Sequence, residues 1–131
     1  MKLVDTSVWV EFLRRKGDPQ VKHKVASMIE ADLAGYTCPV RFELLSGVKT
    51  HEQGDLEQTL ALARLFPFEP VDWCEAAFLE RRLRGKGLTI PRNDLFVAVV
   101  AIRTELAVVC RDEHFAAMQK ILGGKLLVES V

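Results

Sequence analysis

Four acids stand apart from the charged surface of this chain. Asp5 closes a short run, Lys2-Leu3-Val4, and Glu43, Asp94 and Asp112 each adjoin another apolar segment. Four carboxylates delivered from four parts of a small fold exceed what packing needs, and they match the needs of a divalent-metal phosphodiesterase. Grouped carboxylates repel one another. A hard cation such as Mg²⁺ or Mn²⁺ offsets that repulsion and keeps positions open for water and phosphate oxygens. The metal polarises the phosphate and lowers the pKa of a bound water, so hydrolysis needs no histidine. This suits a chain whose histidines, His23, His51 and His114, have no ligand-pair spacing. His114, close to Asp112, reads as solvated or capping.

Each acid also has a plainer reading. Asp5, Asp94 and Asp112 stand where helices should begin, and acids are good N-caps. Glu43 has no such role, because it lies inside an apolar helical segment where an unpaired carboxylate is costly. The set of four, taken together, favours the metal reading.

The elements that would position these acids alternate between strand and helix. Lys2 to Val4 read as a buried strand, and Val8, Trp9, Phe12 and Leu13 follow at helical spacing. Asp18-Pro19 opens a second helix with an acid cap and a first-position proline; its inner side is Val21, Val25, Met28, Ile29 and Leu33. Gly35 should end that helix, with Tyr36 to Cys38 as the second strand. Pro39 then starts a helix carrying Phe42, Leu44, Leu45 and Val48, and another runs from about Asp55 to Leu65. Phe68 to Val71 read as a short strand, and Asp72 with Glu75 as a capping box for a helix closed by Gly85 and Gly87. Pro91 precedes a helix that is almost wholly apolar from Leu95 to Ile102, hence buried on most sides. Leu106 to Cys110 and Lys125 to Val128 read as strands around a last helix with Phe115, Met118 and Ile121 inward. Strands alternating with helices predict an α/β fold with a mostly parallel sheet covered on both faces, and a ligand crevice beyond the strands' C-terminal ends. All four acids can reach that end.

With 131 residues, 49% of them hydrophobic, the chain fits one domain, residues 1–131, around one core. Lys plus Arg and Asp plus Glu both number 18, so net charge exerts no pull toward nucleic acid. Any pull must come from local clusters. Arg14, Arg15, Lys16, Lys22, His23 and Lys24 form one; Arg81, Arg82, Arg84 and Lys86, with Arg92 beyond them, form another. Alone they read as solvated faces and helix-end charges; around an acidic pocket they would hold a phosphate backbone. Cys38, Cys74 and Cys110 are widely spaced and read as small core side chains in a reducing compartment. No long apolar stretch or leader is visible, so the expectation is a soluble, cytoplasmic protein without a membrane partner.

The segments DTSVWVEFL, RFELLSG, PRNDLFVAVVA and CRDEHF resemble, in order and spacing, the four acidic motifs of PIN-domain proteins, and the single-domain length resembles the VapC-type toxins among them. The resemblance runs from Lys2 to about Val128. It implies a three-layer α/β/α fold and a Mg²⁺- or Mn²⁺-dependent endoribonuclease that cuts structured RNA such as tRNA or rRNA. It implies Asp5, Glu43, Asp94 and Asp112 as the acidic tetrad, with a Thr6 or Ser7 hydroxyl in support. It also implies a VapB-type antitoxin, DNA contact only through that antitoxin, and a homodimer, for which the 55–65 and 72–84 helices are the expected surface. RNA would be held by Arg14, Arg15, Arg82, Arg84 and Arg92. Other classes fit less well. A haloacid-dehalogenase-type phosphohydrolase needs a second acid where Ser7 stands. A receiver domain needs an acidic pair in its first loop. A nucleotide-binding enzyme needs a glycine-rich loop after the first strand. A catalytically silent PIN-like module that binds RNA or protein would not need Glu43 and Asp94 intact.

Overall fold

A computed structural model describes residues 1–131. The elements are β1 (Lys2–Val4), α1 (Thr6–Leu13), α2 (Pro19–Glu30), β2 (Ala34–Thr37), α3 (Cys38–Gly47), α4 (Gln53–Leu60), β3 (Arg64–Phe66), α5 (Pro70–Gly85), α6 (Arg92–Thr104), β4 (Val108–Cys110), α7 (His114–Leu122) and β5 (Val128–Ser130). The strands form one sheet in the order β3-β2-β1-β4-β5, and every pairing is parallel. Leu3, Val4, Val108 and Val109 are almost solvent-free, as strands covered on both faces require. The fold is the expected three-layer α/β/α arrangement.

From β1 the chain steps outward to β2 and β3, then crosses back to β4 and β5. Right-handed crossovers in these two directions lie on opposite faces of the sheet, so the topological switch point falls between β1 and β4. Asp5 is the residue after β1, and Asp112 lies two residues beyond β4. Strand order alone therefore aims two of the acids at the crevice where such sheets bind ligands.

Several boundaries differ from the sequence reading, each for a local reason. Gly35 does not end α2; it sits inside β2, and the turn before it is made by Asp32 at φ 57°. A Cβ at Gly35 would lie 2.7 Å from the Phe66 ring and 3.2 Å from the Lys2 carbonyl, so the glycine makes room for the neighbouring strands. The third strand is Arg64–Phe66, which shortens α4; it stops before Pro67, a residue with no N–H for the ladder. Pro70 takes the first position of α5, so Glu69 is the N-cap, and it is Asp72, as the third helical residue, that returns a carboxylate oxygen to the Glu69 N–H at 2.8 Å. Asp72 is buried and held by Arg103 Nε and Nη2, each at 2.8 Å. The last strand begins at Val128, after a 3-10 turn over Gly123–Lys125. Leu33 is exposed, and so are Cys38 and Cys74; of the cysteines, Cys110 alone is in the core. No helix is long and apolar enough to cross a membrane.

Candidate active site

Asp5 continues β1 by one extended residue, its N–H bonding Val109 O at 2.9 Å, and caps α1. One oxygen, Oδ2, accepts from Ser7 N at 3.1 Å and Ser7 Oγ at 2.6 Å. The other, Oδ1, is enclosed and has no partner. Burial pushes this carboxyl up to about 7; the Ser7 bonds oppose the rise, and the charges of Asp94 and Asp112 add to it.

Glu43 projects from α3, and Thr6 Oγ1 donates to its Oε1 at 2.8 Å. The two hydroxyls at the start of α1 thus divide their work, Thr6 on Glu43 and Ser7 on Asp5. Asp94 is the third residue of α6, where Pro91 stands at the N-cap, so capping does not account for it. Its carboxyl is pushed up to about 6, first by burial and then by Asp112, with Glu43 adding and His114 opposing. Asp112 accepts from His114 N at 2.9 Å. Asp5 feels the charges of Asp94 and Asp112, and Asp94 feels those of Asp112 and Glu43, so Asp94 links the other three acids electrostatically.

His114 is more involved than its sequence reading allowed. It does sit beside Asp112, but its Nδ1 lies 2.6 Å from Asp94 Oδ2 and 3.6 Å from Asp112 Oδ1. Ligand atoms of Asp94, Asp112 and His114 all fall within 4.8 Å of one another. Asp94 is 20 residues away along the chain, so nothing local in the sequence revealed that pairing. Arg111 was likewise missed: its N–H donates to Ser7 Oγ at 3.1 Å, and its guanidinium pairs with Asp18 at 3.1 Å.

The residues fit a hard divalent cation. They offer several carboxylate oxygens at short range, an enclosed Asp5 oxygen without a protein partner, and two acids whose charge is disfavoured as they stand. A bound cation would relieve all three.

The arginines are scattered. Arg14 is exposed and pairs with Glu11 at 2.7 Å, and Arg15 is exposed beside it. Arg82 and Arg84, two residues apart on α5, face different ways, as helical spacing demands. Arg82 lines a groove with Phe78, Ile102 and Lys125. Arg84 and Arg92 instead meet at Glu80, at 3.9 Å and 3.3 Å, on the rim of a hollow of about 370 Å³ floored by Leu83, Ile90 and Leu95. Arg92 is two residues from Asp94 in the first turn of α6, a spacing that turns the two side chains apart, and none of the four acids lines this hollow. On another side of Asn93, Phe42 and Trp73 are exposed (67% and 57%) and border a hollow with Phe68 and Phe96. Phe68, Trp73 and Phe96 stack edge to face with centroids 4.8–5.4 Å apart.

Comparison with known proteins agrees with this fold. The family model for the PIN domain matches residues 2–121. Ribonuclease VapC11 of Mycobacterium tuberculosis and VapC ribonuclease Mb1587 of Mycobacterium bovis are each 33% identical over 127 residues, covering 92% of this chain and 93% of the relative. Among solved structures, VapBC2 from Rickettsia felis bound to a DNA fragment from its promoter superposes with a TM-score of 0.79 at 20% identity, covering 99% of this chain and 98% of that one. DNA-bound VapBC from Salmonella typhimurium gives 0.80 at 14% identity, with 99% and 98% coverage.

Proposed function

The chain belongs to the PIN-domain family, among its VapC-type proteins, and from that premise we propose that it is a Mg²⁺- or Mn²⁺-dependent endoribonuclease, the toxin of a toxin–antitoxin pair. What supports this reading is that Asp5 and Asp112 follow the two strands at the switch point of the sheet, with Asp94 close to Asp112 and an enclosed Asp5 oxygen that no protein group satisfies. The curated relatives are named as ribonucleases, which supports RNA as the substrate class.

When bound, the cation polarises the scissile phosphate and supplies an activated water. Asp5, Glu43 and Asp94 would hold it as the main carboxylates, and Asp112 would hold a water, a second ion or the other three groups in place. Ser7 and Thr6 fix the Asp5 and Glu43 carboxylates in orientation, as ligand-supporting hydrogen bonds do. His114 Nδ1, between Asp94 and Asp112, would fix the orientation of the two carboxylates. Arg84 and Arg92, which meet at Glu80, would hold the RNA backbone, with Arg14, Arg15 and Arg82 as outlying contacts; such contacts position RNA and leave its choice to shape.

Cleavage of end-labelled tRNA and rRNA by the purified protein tests this reading. Cleavage should stop in excess chelator and return with Mg²⁺ or Mn²⁺. In the same assay, Arg84→Ala with Arg92→Ala should cut less at limiting RNA and lose about 1.4 from the slope of log affinity against log salt, two phosphate contacts' worth. Cleavage that persists unchanged in chelator rules out the mechanism.

The VapBC assemblies from Rickettsia felis and Salmonella typhimurium were solved on DNA, which supports a VapB-type antitoxin as partner and DNA contact through that antitoxin. An antitoxin helix with a basic side chain would enter the acidic cleft and neutralise it as the cation does. We assign the exposed Phe42 and Trp73 face to the homodimer, since an apolar patch of that kind is seldom left to water. Light scattering across dilution should give a dimer for wild type at micromolar concentration and a monomer for Phe42→Lys; a wild-type monomer contradicts the assignment.

A further inference from the structure

Thr37 ends β2 as a fully buried residue whose hydroxyl has no hydrogen-bond partner. It stands at the N-cap of α3, where a threonine ordinarily accepts from the backbone N–H of the second or third helical residue, yet it makes no such bond. Part of the reason is local: Pro39, the second residue of α3, has no N–H to offer. A hydroxyl enclosed without a partner destabilises the fold, and packing alone would favour a valine of the same shape.

The adjacent strand brings a second orphan to the same place. β1 and β2 pair Lys2 with Ala34 and Leu3 with Gly35, and that parallel register, continued by two residues, sets Asp5 opposite Thr37. Residues in register on neighbouring strands lie about 4.8 Å apart and send their side chains to the same face. Asp5 and Thr37 both keep extended backbone at this point, so the row continues past the paired residues. Its Oδ1 is the enclosed, unpartnered oxygen, while Oδ2 is occupied by Ser7. Buried side-chain polar atoms without a partner are found on Asp5, Trp9 and Thr37, so two of the three share one row at the C-terminal edge of the sheet. A donor and an acceptor, both unsatisfied and side by side, are what a site looks like when the group that joins them binds from outside.

We infer that Thr37 is a positioning residue of the metal centre: its hydroxyl acts on Asp5 Oδ1, directly or through one ion-bound water, and holds that oxygen toward the divalent cation. This rests on the metal-dependent reading proposed above. It assigns work to a side chain outside the four acidic segments, on the strand that leads into the Glu43 helix.

Three proteins test it with Mn²⁺ alone as the probe: wild type, Thr37→Val and Thr37→Ser. Melting in chelator reads metal-free stability, and calorimetry reads Mn²⁺ affinity. Thr37→Val should melt higher than wild type in chelator, by about 3 °C, because the orphaned hydroxyl is gone. It should bind Mn²⁺ at least about tenfold more weakly, the loss typical of a partner that orients a ligand. Thr37→Ser keeps the hydroxyl and should keep the affinity to within about twofold. A purely structural hydroxyl moves the readouts the other way. Thr37→Val that melts lower, or does not fold, contradicts the inference. Wild-type Mn²⁺ binding that Thr37→Val retains in full overturns the role of Thr37 and leaves the metal reading standing. Wild type that binds no Mn²⁺ overturns both.

Discussion

Asp94→Asn is expected to lose RNA cleavage by about 10³-fold or more while raising the melting temperature of the metal-free protein. The two effects have one cause. Asp94 is half-buried, faces Asp112 and Glu43, and is held by His114, with burial and like charge together pushing its carboxyl up to about 6. An amide of the same shape removes the repulsion and the desolvation penalty, so the empty fold gains. It also removes a carboxylate that the cation needs, so binding and chemistry fail together. Loss of activity through misfolding would show the opposite sign of stability change, which makes the melting curve the control for the cleavage assay. Calorimetric titration with Mn²⁺ gives a third readout: traces identical for wild type and Asp94→Asn would remove Asp94 from the ligand set. Cleavage at wild-type rate would remove it from the reaction.

The acids were legible in the sequence because each lies at a boundary that local rules locate. Asp5 follows an apolar strand, Asp94 follows a proline at a helix start, and Asp112 follows the next buried strand; Glu43 was conspicuous as an acid inside an apolar segment. The parallel sheet followed from alternation. What local rules could not supply was the partner across space. Gly35 read as a helix terminator because its real reason, the Phe66 ring on the adjacent strand, lies 31 residues on. Arg82 and Arg84 read as one cluster because they are neighbours in the chain, yet helical geometry sends one toward Lys125 and the other to Glu80. His114 read as solvated because Asp94, its partner, belongs to another helix. Thr37 carried no signal at all: a threonine two residues before a proline is an ordinary turn residue until the register sets it against Asp5.

Acidification should strip the metal and, in its absence, stabilise the site. Asp5 is pushed up to about 7 and Asp94 to about 6, both from an ordinary value of 3.8, chiefly by burial. Cation binding needs both ionised, so affinity should fall roughly 100-fold between about pH 7.5 and 5.5, with up to two protons taken up per ion released. The metal-free protein behaves in the opposite sense. A carboxyl whose folded pKa lies above its unfolded value binds its proton more tightly when folded, so its stabilisation is complete below about pH 4 and is lost as pH rises through 6 and then 7. Groups held below their ordinary range, such as Asp18 and Glu129, act in the reverse direction, but their influence changes only at more acidic pH. Between about pH 5 and 8 the decline therefore belongs to Asp5 and Asp94. Melting temperatures measured across that window should fall in chelator and stay level or rise in saturating Mn²⁺, and Asp94→Asn should flatten the chelator curve in its lower half. A wild-type chelator curve that is flat or rising from pH 5 to 8 would mean that burial does not disfavour charge on these two carboxylates, and the case for a cation beside them would lose its electrostatic basis.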